Sequence, residues 1–323
     1  TIREFGLEKL LASGEMETIC RQHAGFFLAL AEEANPKLRG SEQVLWLQRL
    51  EVDYANLQAA LNWSLRHDET MDSSDHKLGL QLAGALACFW DIRAHFSEAR
   101  RWYDQALAFS DGTEYSAAQA RALQGAGVAA QMQGDFAHAR RYLEESLALW
   151  QKLENRWGMA YTQTWLALAH YAPGNWTTAL SLAEASVALF RALDDSWGVA
   201  LALNILSPMV KITGDYATAR SLLEESIMRF RVLGDAYWMA DSIAMLSDLV
   251  FDQGDYAAAR TLIEEVEVTL AVHPLLNNKL FRAGSLRVLG TIARIQADDQ
   301  AATAFFTQSL AVARDAGAQW SVA

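Results

Sequence analysis

Seven histidines, two cysteines and several carboxylate pairs are the side chains most able to do chemistry, and their spacing argues against it. His23, His67, His76, His95, His138, His170 and His273 are scattered. No two stand at the i, i+4 spacing with which a helix turns a pair of imidazoles toward zinc, and Cys20 and Cys88 form no cluster. Glu144-Glu145, Glu224-Glu225 and Glu264-Glu265 recur at one place in a periodic pattern. Such recurrence marks a solvated outer face rather than an acid–base dyad. The sequence holds no Gly-x-Ser-x-Gly elbow and no phosphate-cradling Gly-x-x-x-x-Gly-Lys-Ser/Thr loop. No catalytic residue, metal or cofactor is expected, and binding is the chemistry left to explain.

The elements that would position a binding site come from a repeat. Gly134-Asp135-Phe136-Ala137-His138-Ala139-Arg140 returns as Gly214-Asp215-Tyr216-Ala217-Thr218-Ala219-Arg220 and as Gly254-Asp255-Tyr256-Ala257-Ala258-Ala259-Arg260. Weaker copies begin at Ala94 and Gly174, so the starts step by 40 from 94 to 254. A sixth copy begins at Ala297-Asp298, shifted by three, and the extra residues fit a loop over Val272 to Asn278. In each motif the Gly suits a left-handed helix end, the Asp or Asn caps the next helix, and the small Ala admits a close helix neighbour. Seven residues before each start lies a small residue, Ala87, Gly127, Ala167, Ser207, Ser247 or Gly290. The expected fold is all-α: about six 40-residue helix pairs stacked into a superhelix, preceded by a helical arm.

This pattern resembles the tetratricopeptide repeat, with a period longer than that family's usual 34 residues. The resemblance implies a concave groove lined by the first helix of each pair. In that register, positions two, five, nine and twelve of each first helix face inward. They include Arg121, Gln124, Val128 and Gln131; Tyr161, Thr164, Leu168 and Tyr171; Leu201, Asn204, Pro208 and Lys211; Asp241, Ala244, Asp248 and Phe251; and Arg287. The first unit adds Gln81, Gly84, Cys88 and Asp91. From these rows the candidate ligand-binding residues are Arg121, Gln124, Gln131, Thr164, Tyr171, Asn204, Lys211, Asp248, Phe251 and Arg287. They mix amides, charges and aromatics from unit to unit, which suits a shaped site for a small ligand or a protein segment; a merely solvated groove is the other reading. Pro208 should kink its helix. Trp150, Trp157, Trp176 and Trp197 recur in the repeat and are expected to pack between units, whereas Trp165 and Trp238 depart from it and are expected at a site or on the outer surface.

Before the repeats, residues 2–11 read as a short helix and 15–34 as a second, with Ile19, His23, Phe26, Phe27 and Leu30 on one stripe and Asn35-Pro36 as its breaker. A third, long helix should run from Ser41 to about Arg66, with Val52-Asp53-Tyr54-Ala55 a chance likeness to the repeat motif inside it, and 68–76 a polar loop. Arg3 to Leu10, Ser13 to Glu15, Arg21 to Ala31, Trp46 to Glu51 and Asn56 to Leu61 stand in an order similar to the join between winged helix and repeats in bacterial STAND-type signal-transduction ATPases, among them the maltose-regulon-activator class of transcription regulators. The resemblance implies that 1–14 is the tail of a winged helix, 15–75 a connecting arm and 76–323 the sensor. It implies an inducer, a small molecule or a protein, as partner, together with the chain's own nucleotide-binding domain. ATP and Mg²⁺ would belong only to residues before Thr1. Trp320 recurs where a seventh unit would open, so the chain is expected to be a truncated piece.

The net charge of −12 argues against nucleic acid as a direct partner, and no apolar run of membrane-spanning length occurs. The two distant cysteines point to a reducing, cytoplasmic compartment. Two rival functions remain open: an adaptor holding a partner peptide or helix, and a regulatory region appended to a cyclase or kinase.

Overall fold

The computed structural model describes residues 12–66, 72–109, 116–276 and 279–315. Among them are sixteen α-helices and a single 3-10 turn, with no strand. The arm comprises α1 (Met16–Lys37), α2 (Gln43–Val52) and α3 (Tyr54–Ser64). The first unit pairs α4 (Ser73–Ala85) and α5 (Ala87–Arg93) with α6 (Phe96–Ala108). Five pairs follow: α7 (Ala117–Met132) with α8 (Phe136–Lys152), α9 (Arg156–Tyr171) with α10 (Trp176–Ala192), α11 (Ser196–Ile212) with α12 (Tyr216–Leu233), α13 (Ala236–Asp252) with α14 (Tyr256–Val272), and α15 (Lys279–Ile295) with α16 (Asp299–Asp315). First helices of neighbouring units touch one another along the array and so line its inner face.

The repeat motif does what its residues dictate. Gly134, Gly174, Gly214 and Gly254 have φ between 80° and 90°, the left-handed conformation that ends a helix without a Cβ penalty. The carboxylates of Asp135, Asp215 and Asp255 accept the backbone N–H three residues on, capping α8, α12 and α14. Small residues then let the pairs close. A Cβ on Gly127 would collide with Leu143, and one on Gly198 with the Phe190 ring. A buried serine locks each of three pairs: Ser146, Ser226 and Ser309 donate to the carbonyls of Ala120, Ala200 and Ala283 at 2.8, 2.8 and 2.7 Å. The loop expected between the fifth and sixth units is present as His273 and a 3-10 turn over Pro274–Leu276.

Several elements differ from expectation. α1 runs through Pro36, because a proline in the last turn forfeits only one helical bond, and the helix ends at Lys37 with Leu38 as its C-cap. Its buried face is Ala24, Phe27, Leu28, Leu30, Ala31 and Ala34, whereas Ile19 and Phe26 are exposed. The long third helix is two, α2 and α3, broken at Asp53, so the Val52–Ala55 motif does mark a helix start. The polar stretch before the first unit is shorter than expected: Asp72 makes a capping box with Asp75, and α4 begins at Ser73. That unit's first helix also breaks at Leu86. The expected helix over 2–11 and the opening of a seventh unit lie outside the described residues.

The arm is packed, not pendant. Arg21 grips the buried Asp75 carboxylate with two bonds of 2.6 and 2.8 Å, tying α1 to α4. Trp46, Leu47 and Leu50 of α2 are buried in one continuous core with Leu86 and Phe89 of the first unit and Tyr237, Ile243 and Leu276 of the fifth. Each fully buried leucine contributes about 1.5–3 kcal/mol.

Candidate functional site

The inner face of units three to five receives the loop that links α1 to α2. The Arg39 guanidinium lies 4.7 Å from the ring centroids of both Trp157 and Trp197 and 5.7 Å from Tyr161. The Tyr161 ring is itself stacked on Trp157 and on Trp197, at 16° and 13°. Both indoles are pinned by the caps of the following unit: Trp157 Nε1 donates to Asp195 at 2.5 Å and Trp197 Nε1 to Asp235 at 2.8 Å. The N-cap carboxylates therefore begin a helix and aim a ring.

Further along, Gln43 joins arm to array. Its amide nitrogen donates to Asp235 Oδ1 at 3.0 Å and to the Leu38 carbonyl at 2.8 Å, and its oxygen accepts from the Tyr237 backbone at 3.2 Å. Asp235 is completely buried; burial pushes its pKa up, against the bonds from Trp197, Trp238 N–H and Gln43. Arg93 completes the bridge, donating to Glu51 of α2 at 3.1 Å and to the Leu275 carbonyl at 2.9 Å.

Beside the Arg39 cage lies a cavity of about 440 Å³ between the arm and units one to three. Its walls include Asp91 and Cys88 of α5, Arg121 and Gln124 of α7, Trp157 and Tyr161 of α9, and Glu32, Asn35 and Arg39 of the arm. Asn35 donates to the Ala85 carbonyl at 2.8 Å, and Gln124 to Thr162 at 2.7 Å. Loss of water pushes the Asp91 carboxyl up to about 7, with Arg39 pulling the other way, and the Cys88 thiol up to about 12. Volumes of about 300–1,000 Å³ are typical of small-molecule sites.

The ten candidate residues fall into separate places. Arg121 and Gln124 line the cavity. Gln131 is buried, with neither amide atom bonded. Thr164 lies inside the α9–α10 pair, fully buried, with its hydroxyl on the Ala160 carbonyl and Ser186; a polar side chain there satisfies the pair rather than the groove. Tyr171 reaches the Pro208 carbonyl at 3.5 Å, and α11 continues as one helix through that proline. Asn204 is fully buried, donating to Asp241 at 2.9 Å and Ser242 at 3.0 Å. Burial raises Asp241 to about 6 despite that bond. Lys211 pairs with Asp252 at 2.6 Å, Arg287 lies 3.4 Å from Asp248, and Phe251 packs on Tyr256. These last five form no common pocket with Arg121.

Sequence reasoning missed the arm's contribution, Arg39 and Gln43 above all, because no local signal marks a partner nearly two hundred positions away. The tryptophans also divide differently. Trp165 is buried, not outward, with Trp238 6.0 Å away across the inner face. Trp150 and Trp197 are buried as expected, but Trp176 is more than half exposed.

Residues 120–156 match the tetratricopeptide-repeat family model. A stretch of 107 residues is 35% identical to an HTH-type transcriptional regulator of Mycobacterium tuberculosis (strain H37Rv), covering 33% of this chain and 11% of that protein. The counterpart from Mycobacterium bovis matches equally. The matched stretch thus spans about a ninth of those relatives. Among solved structures, the apo form of RapI superposes with a TM-score of 0.61 at 11% identity, over 85% of this chain and 96% of that one. NprR in complex with its cognate peptide NprX gives 0.61 at 13% identity, over 83% and 76%. These likenesses establish the architecture: an all-α, tetratricopeptide-like solenoid. No helix among the described residues is long and apolar enough to cross a membrane, and no cluster of His, Cys, Asp or Glu there could hold a metal ion.

Proposed function

We propose that this chain is the ligand-sensing and autoregulatory repeat region of a STAND-type signal-transduction ATPase that regulates transcription, and that an inducer binds on its concave face. One observation carries the reading: the arm loop occupies that face, with Arg39 in the Trp157–Trp197 cage and Gln43 on Asp235. A ligand that contacts both the loop and the array can favour one arm position over another, and it shifts that equilibrium only by its difference in affinity for the two. The stretch shared with HTH-type transcriptional regulators supports a regulatory setting. ATP and Mg²⁺, on this reading, are handled by a nucleotide-binding domain elsewhere in the full protein, and the repeat region does no chemistry of its own.

The test is hydrogen exchange across residues 38–52 of the purified chain, with and without a ligand found by native mass spectrometry. An inducer should change protection of the arm. Tight binding with unchanged exchange there would favour a plain adaptor.

A further inference from the structure

The cavity beside the cage carries an unusual charge arrangement. Four charged side chains line it: Arg39 and Arg121, Glu32 and Asp91. Among the described residues none of the four has an ion-pair partner within 4 Å, although many of the chain's other charges do. Arg39 is held by aromatic faces instead, and its Nε is buried without an acceptor. Glu32 and Arg121 are exposed to water and Arg39 and Asp91 are half-buried; taking the latter two out of water is costly unless a partner meets them. Two guanidinium groups and two carboxyl groups line one space with no ion pair among them, against a wall made by the Trp157 and Tyr161 rings.

We infer that this cavity is a site for a zwitterion, a free amino acid or a short peptide with unblocked ends, whose carboxylate is met by Arg39 and Arg121 and whose ammonium group is met by Asp91 and Glu32. The planar fork of arginine suits a carboxylate, and a compact ammonium suits paired acids. The aromatic wall takes the apolar part of the ligand. The inference rests on the sensor reading, since Arg39 and Glu32 belong to the arm and the others to the array; a bound zwitterion would tie the two together.

The probes are the common free amino acids, unblocked di- and tripeptides, the same compounds acetylated and amidated at their ends, and neutral sugars, tested on the whole chain by thermal shift and then by titration calorimetry. At least one unblocked compound should bind, and free amino acids set against peptides distinguish the two sources. Blocking both ends should weaken it at least about tenfold, and Arg121→Gln and Asp91→Asn should each weaken it by roughly 10–100-fold. Arg141→Gln, on the outer surface, should leave binding unchanged. The inference is overturned if no zwitterion binds at about 10 mM, if the blocked compounds bind equally well, or if Arg121→Gln and Asp91→Asn both keep full affinity. A sugar that binds and alters arm exchange would sink the zwitterion while sparing the sensor. A zwitterion that binds without altering arm exchange would do the reverse.

Discussion

Gln43 and Asp235 stand 192 positions apart in the chain and 3.0 Å apart in space, side chain to side chain, with both fully buried. One amide thereby satisfies a helix cap in the fifth unit and closes the arm's own loop through the Leu38 carbonyl. The position of the arm and the cap of the fifth unit are coupled through one side chain.

Gln43→Ala removes three hydrogen bonds and leaves the Tyr237 N–H without its side-chain acceptor. A loss of about 1–3 kcal/mol is expected in urea unfolding, since an unsatisfied buried group carries its full desolvation cost. Faster hydrogen exchange in residues 38–52 should accompany it. Unchanged exchange would mean that the amide does not hold the arm.

Arg39→Met keeps the length of the side chain and discards its charge. Cation–π contacts are worth about 0.5–2 kcal/mol each, so arm docking should weaken by that order. Tryptophan fluorescence should report it, because Trp157 and Trp197 lose the guanidinium between them.

Stability should depend on pH through Asp91. Its folded pKa of about 7 lies above the ordinary 3.8, so the folded chain keeps a proton that the unfolded chain gives up. Stability is then greatest below about pH 4 for this group and falls as pH rises toward 7, by at most about 1.4 kcal/mol per unit crossed. Asp241, raised to about 6, acts with the same sign over a narrower window. Denaturant midpoints from pH 5 to 8 should flatten in Asp91→Asn, and that variant should exceed the parent in stability at pH 8.

Gly198→Ala places a methyl group where the Phe190 ring lies. Overpacking of this kind costs roughly 1–3 kcal/mol. Ser226→Ala, which deletes buried bonds to the Ala200 carbonyl and the Ser242 hydroxyl, should cost about 1–3 kcal/mol as well. Thermal melts that leave either variant at the parent's midpoint would contradict the packing described here.

How much of this could be read from residues alone follows from how local each cause is. The forty-residue period, the left-handed glycines and the Asp caps act within a few positions, and the structure has them where the motifs stand. The helix break at Asp53 has no Gly or Pro beside it to announce it, and at Leu86 only Gly84 stands close by. Thr164 and Asn204 looked like groove residues because polarity alone does not separate a ligand contact from a buried bond between helices. Arg39 was invisible for a deeper reason: its ring partners come from two distant helices, α9 and α11, and nothing in Leu38-Arg39-Gly40 records them. The bond between Ser226 and Ala200, by contrast, had a legible signal in a serine recurring 26 residues after Ala120, Ala160, Ala200 and Ala283.

The bridge between Gln43 and Asp235 also orders events in time. At about 5–20 residues per second, the ribosome makes Gln43 some 10–40 s before its partner in the fifth unit. Trp46, Leu47 and Leu50 must wait through that interval with part of their eventual burial missing. The rings of Trp157 and Trp197 are made before Asp235, so Arg39 can meet them before Asp235 pins Trp197 and before Gln43 finds its partner. Synthesis thus delivers the arm to the array stepwise, and a chain halted before the fifth unit would present an apolar helix face to chaperones or to other chains.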